Sequence, residues 1–223
     1  MARQPKPGTQ GKLPLEERRW GGRREGAGRK PKSPRPLGGP GTPHLRRPEI
    51  QRRHPVHLTL RLMPDAWNLR SQRSFRVISG ALLAVRDAGL RLTHYSVQGN
   101  HLHLIAEVET RTVLSRCMRS LAIRLARGLN AMMGRKGRVI ADRYHVVVLR
   151  NPQQTRNAIR YVLSNTRKHM LERGEPTPRV IADTYAAGPS DHVPRTMRLR
   201  PSVLLLEPRS WLLTDGWRRA AGS

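Results

Sequence analysis

The chain has 223 residues, and its 43 Lys and Arg against 15 Asp and Glu give a formal net charge of +28. That excess points to a polyanionic partner, nucleic acid before a membrane, since no apolar run approaches the ~18 residues of a spanning helix. Cys117 is the only cysteine, which excludes an internal disulfide and zinc sites built from cysteine pairs; one Phe and four Tyr disfavour a sheet that binds bases by stacking. With no hydrophobic signal core at the N-terminus, a soluble cytoplasmic protein is expected.

Residues 1–53 contain 9 of the 18 prolines, 9 of the 19 glycines and 15 Lys and Arg against 4 Glu. This is the composition of a disordered basic arm that tethers phosphates without reading sequence. From His54 the texture changes. "HPVHLTLRL" alternates Val56, Leu58, Leu60 and Leu62 with His57, Thr59 and Arg61, a first strand in which His57 and Thr59 could line the same sheet face as His101 and His103 but read first as exposed polar positions. "SQRSFRVISGALLAVRDAGL" spaces Phe75, Ile78, Leu82 and Val85 as a helix that Gly89 stops. "RLTHYSVQ" and "HLHLIAEVE" are two strands joined at Gly99-Asn100, a pair that accepts positive φ.

Thr112 is expected to cap the next helix, whose stripe runs through Val113, Leu114, Cys117, Met118, Leu121, Leu125 and Leu129 and which Gly134 ends. Arg116, Arg119, Arg124 and Arg127 project away from that stripe, toward DNA phosphates. "RVIADRYHVVVLR" supplies a fourth strand, and "NPQQTRNAIRYVLSNTRKHM" opens a last helix with Asn at the cap and Pro at the first turn. Arg143, Arg160, Arg167 and Lys168 are further expected DNA contacts. The order predicts an α+β, ferredoxin-like βαββαβ antiparallel sheet over residues 54–172, with an extra C-terminal helix carrying Tyr161. Residues 173–223 form a Pro- and Arg-rich extension whose short apolar clusters, around Trp211 and Trp217, either dock on this domain or grip a partner.

His101 and His103 share one face of their strand, a spacing that fits a plain strand as well as a cation site. Tyr161 and Asn165 lie one helical turn apart, on the border of a stripe through Ile159, Val162, Leu163 and Met170. Cation-assisted cleavage of a phosphodiester needs such parts. His101, His103 and the amide oxygen of Asn165 could hold a divalent ion, and Tyr161 could attack, its phenol (ordinary pKa about 10) helped by the ion or a base. Tyr144, beside His145 at the start of a strand, is the rival nucleophile.

"GNHLHLIAE" resembles the HUH motif, two histidines around a hydrophobic residue, and "RYVLSN" resembles the tyrosine helix of single-tyrosine HUH transposases. The likeness to the REP-associated tyrosine transposases covers roughly residues 54–170, and "PRSWLLTDGWRRA" is similar to a tail found in some of them. The resemblance implies a bacterial enzyme that nicks and joins single-stranded DNA, often at imperfect hairpins. Tyr161 would form a 5′-phosphotyrosine and free a 3′-hydroxyl, with Mg²⁺ or Mn²⁺ on His101, His103 and Asn165. The family commonly places Pro after its Asn, whereas Asn165 is followed by Thr166-Arg167-Lys168-His169. No second tyrosine sits near Tyr161, unlike in the two-tyrosine replication initiators. A transposase-derived protein that binds nucleic acid without catalysis and an RNA-binding accessory protein are the alternatives, and monomer or homodimer is left open.

Overall fold

The computed structural model describes residues 48–65, 67–199 and 201–220, so residues 1–47 of the expected basic arm lie outside them. The described chain runs β1 (Val56–Arg61), α1 (Gln72–Asp87), β2 (Arg91–Val97), β3 (His101–Glu107), α2 (Arg111–Met133), β4 (His145–Val148) and α3 (Pro152–Glu172). Three short strands follow: β5 (Ile181–Asp183), β6 (Ala186–Ala187) and β7 (Met197–Leu199). The main sheet has the order β4-β1-β3-β2-β6 with every pairing antiparallel, while β5 and β7 make a separate parallel pair. The protein is thus α+β, and its fifth strand comes from the C-terminal extension. No helix of the described residues is long and apolar enough to cross a membrane.

Alternation along the strands separates two layers. Val56, Leu58 and Leu60 of β1, with Leu102, Leu104 and Ala106 of β3, pack against the apolar stripes of α1 and α2. Ile105, on the other face of β3, packs with Ala158, Ile159, Val162 and Leu163 of α3 and with Leu213. Each such side chain contributes about 1.5–3 kcal/mol on burial, so these rows fix which residues of β1 and β3 must face α3. Residues of one parity in β3, namely His101, His103 and Ile105, share the α3 side. Ile50, inside the segment read as arm, is already buried in the core.

Two local expectations need correction. The cap of α2 is Thr110, not Thr112: Thr110 is extended and its hydroxyl accepts the Val113 amide at 3.2 Å, which starts the helix at Arg111. Gly99 and Asn100 turn the β2–β3 hairpin without positive φ. Their carbonyls instead accept amides from outside the hairpin, Gly99 from Leu69 at 3.0 Å and Asn100 from Leu62 at 2.8 Å, so neighbouring chain holds the turn. Asn151 and Pro152 open α3 as expected, the Asn151 side chain accepting the Gln154 amide at 2.9 Å.

The C-terminal extension docks on the domain. The buried Glu107 carboxylate accepts the backbone amides of Arg209 at 3.0 Å and Ser210 at 2.7 Å. Asp183, fully buried, receives a bidentate Arg70 guanidinium at 2.9 and 3.2 Å and the Tyr185 amide at 2.8 Å, and Thr166 of α3 donates to the same carboxylate. This clasp fixes α3 one residue past Asn165.

Candidate functional site

The face of the sheet under α3 is polar at one end. His103 is nearly buried between strands, with its Nδ1 at 3.1 Å from the Thr59 hydroxyl and 3.3 Å from Nε2 of His57. Both partners come from β1, whose Thr59 sits directly opposite His103 in the ladder. Next along the strand, Nδ1 of His101 lies 2.8 Å from the Asn100 side-chain oxygen. The tautomer that satisfies the His101 contact carries its proton on Nδ1, and Nδ1 protonation of His103 equally serves Thr59 and His57. In that arrangement Nε2 of each ring keeps its lone pair, as ligating histidines do when a second partner holds the other nitrogen.

Electrostatics favour the same state. Burial first, then His101, His57, His169 and Arg61, pushes His103 down to about 3. Burial, then His169 and Arg61, pushes His101 down to about 4, and burial with His145 does the same to His57. All three imidazoles are therefore neutral at physiological pH, the form that binds a cation.

Helix α3 crosses this end. The Tyr161 hydroxyl is 3.5 Å from Nε2 of His103, at the outer edge of hydrogen-bond distance, and its ring stands edge-on to those of His103 and His57. Two turns on, the His169 ring lies 5.8 Å from that of His101. Asn165 falls midway between Tyr161 and His169, at four-residue spacing from each and hence on their face. It is not a border residue: it is 1% exposed, and among the described residues neither Nδ2 nor Oδ1 has a hydrogen-bond partner. Burying an amide unpaired costs about 1–3 kcal/mol. Among the described residues no three His, Cys, Asp or Glu side chains converge as metal ligands. The amide oxygen of Asn165 is the donor that would complete a set with His101 and His103.

The expected DNA contacts are dispersed. Lys168 lies 5.4 Å from the Tyr161 ring centre and pairs with Glu172 at 3.6 Å. Arg160 is exposed beside Tyr161, while Arg167 donates to the Pro178 carbonyl at 3.0 Å. Arg143 precedes β4 and its amide binds Asp142 at 2.7 Å. Arg116, Arg119, Arg124 and Arg127 are exposed on α2, which packs on the opposite face of the sheet from the histidines. The ring of Tyr144 also packs against that opposite core, whereas Tyr161 meets His103.

The sequence left His57 and Thr59 as the less favoured members of this face and gave no role to His169. His57 and Thr59 read as exposed polar positions because alternation assigns a face and not its cover; α3 and His103 cover them. His169 stands four residues after Asn165 and eight after Tyr161, a spacing that could have drawn it in. Arg61 adds positive charge on the same face, and His145 stands opposite Thr59 in the β1–β4 ladder.

No protein-family model matches the chain, and neither does any curated protein. Among solved structures, the chain is similar to a REP-associated tyrosine transposase bound to a REP hairpin, at 18% identity and a TM-score of 0.48, over 57% of this chain and 74% of that one. It is also similar to a candidate transposase from Deinococcus radiodurans R1, at 12% identity and a TM-score of 0.38, over 62% of this chain and 99% of that one. Both likenesses fall below a TM-score of 0.5, so the functional reading rests on the side chains.

Proposed function

We propose that the protein is a metal-dependent endonuclease and strand transferase for single-stranded DNA, acting near hairpins through Tyr161, on a ferredoxin-like βαββαβ core. One observation carries this reading: the Tyr161 hydroxyl stands 3.5 Å from a neutral His103 whose other nitrogen is held by β1. His101, His103 and Asn165 would hold Mg²⁺ or Mn²⁺; imidazole donors suit Mn²⁺ better, and the amide oxygen accepts either. The ion, when bound, polarises the scissile phosphate.

The remaining work falls to the chain. Tyr161 Oη attacks phosphorus, the bond from phosphorus to the 3′ oxygen breaks, and the phenol proton ends on the departing 3′-hydroxyl. The DNA is left joined to Tyr161 through a 5′-phosphotyrosine. Attack by a 3′-hydroxyl reverses the step and rejoins strands without an external energy source. Lys168 stands beside the tyrosine to contact a phosphate, and Thr59 and His57 keep the His103 ring aligned.

The test is a denaturation-resistant protein–DNA adduct formed from hairpin-bearing single strands with Mn²⁺. Wild type and Tyr144→Phe form it; Tyr161→Phe and His103→Ala do not. No adduct across a broad oligonucleotide library would leave a nucleic-acid-binding protein without catalysis.

A further inference from the structure

At the end of the sheet away from His101, a cleft of about 1070 Å³ opens between the end of α1 and the starts of α2 and α3, lined also by Leu206 and residues 209–212. Seven arginines and two glutamates line it. Glu107 is spent on the Arg209 and Ser210 amides and on Arg91, 4.0 Å away. Arg52, Arg116, Arg150 and Arg209 are exposed, and among the described residues their side chains have no acidic or hydrogen-bonded partner. Like charges gathered around one concavity repel unless an anion joins them. The N-terminal arm cannot be that anion, since its own balance is 15 Lys and Arg against 4 Glu.

One wall of the cleft is aromatic. Trp211 is 49% exposed, and its ring is seated on Gly216, where an added Cβ would stand 2.9 Å from Cζ3. Arg219 lies 5.5 Å from the ring centre. Cations that track phosphates beside a flat ring that accepts a base are the parts of a single-strand contact site. A free nucleotide would use only some of these cations, whereas a strand can engage them all.

We propose that this cleft binds an unpaired segment of the same DNA strand that is cut at the histidine end. The identity of the strand rests on the reading of the histidine site. His101 and Glu107 stand six residues apart on β3, about 20 Å at the ~3.3 Å rise of a strand. At about 3.4 Å per stacked nucleotide that span is ~6 nucleotides, and fewer where the unpaired strand is extended.

The experiment is an anisotropy titration of the full-length protein in EDTA, where no cleavage occurs, with labelled thymidine oligomers of about 5 and about 15 nucleotides. Wild type binds the longer oligomer far more tightly. Arg116→Gln/Arg150→Gln loses about tenfold of that gain and flattens the log–log salt slope by nearly 2, one per phosphate contact. Trp211→Ala loses about tenfold as well. Both arginines are exposed and without a side-chain partner among the described residues, so circular dichroism should show the arginine variant folded even if Trp211→Ala is not. Unchanged affinity and salt slope in the arginine variant would overturn the cleft alone. So would displacement of the long oligomer by equimolar ATP or inorganic phosphate, which would mark a free-anion site. Failure of wild type to bind any single strand would overturn the cleft and the DNA-cleaving reading together.

Discussion

The Tyr161 hydroxyl and Nε2 of His103 lie 3.5 Å apart although 58 residues of chain separate them. Two independent constraints produce this approach. The ladder between β1 and β3 places Thr59 opposite His103, and the apolar stripe of α3 packs over Ile105, two residues further along the same face. A side chain bordering that stripe, one turn before Asn165, has only the histidine end of the sheet to meet.

Asn165→Leu should stabilise the metal-free protein by about 1–2 kcal/mol, because it replaces an amide with no partner among the described residues by an apolar side chain of similar size. The same change should abolish the rise in melting temperature that Mn²⁺ gives wild type, about 2.7 kcal/mol at 100 times the dissociation constant. Thermal melts with and without Mn²⁺ read both effects. A variant that is less stable and still gains from Mn²⁺ would show that the amide is bonded and is not a ligand.

Stability should fall as the pH drops below about 6.5. His94 is fully buried, its Nε2 2.8 Å from Nδ1 of His192, and burial followed by His192 holds its pKa well below the ordinary value. Burial and Arg218 lower His192 as well, against the opposing pull of Asp191. The unfolded chain takes up these protons near pH 6.5 while the folded chain refuses them. Unfolding therefore binds protons, and each such group removes up to ~1.4 kcal/mol per pH unit until its folded pKa is reached. Above pH 7 the effect vanishes. Urea titrations at several pH values should show the slope, and His94→Gln should reduce it by about one proton.

Asp183→Ala should cost about 3 kcal/mol, since it strands the largely buried Arg70 guanidinium and frees Thr166. Denaturant midpoints measure the loss. Because Thr166 adjoins Asn165, the variant should also weaken Mn²⁺ binding more than an equally destabilising change in the α1–α2 layer, such as Leu121→Ala.

Much of the architecture was legible because alternation and capping act locally. Val56, Leu58 and Leu60 announced β1, Asn151-Pro152 announced α3, and the order of elements follows. The site was half legible. Spacing aligned His101 with His103 and Tyr161 with Asn165, but no local rule says which face of a sheet a helix will cover. His57 and Thr59 therefore read as solvated residues before they read as part of the histidine face, and Asn165 as a border residue. The Arg70–Asp183 clasp joins residues 113 positions apart and leaves no periodic trace.

The most direct measurement is mass-spectrometric mapping of the covalent protein–DNA adduct formed in Mn²⁺. The account predicts a single modified peptide, with a 5′-linked nucleotide on Tyr161. A nucleotide on Tyr144, or an adduct that persists unchanged in Tyr161→Phe, would contradict it.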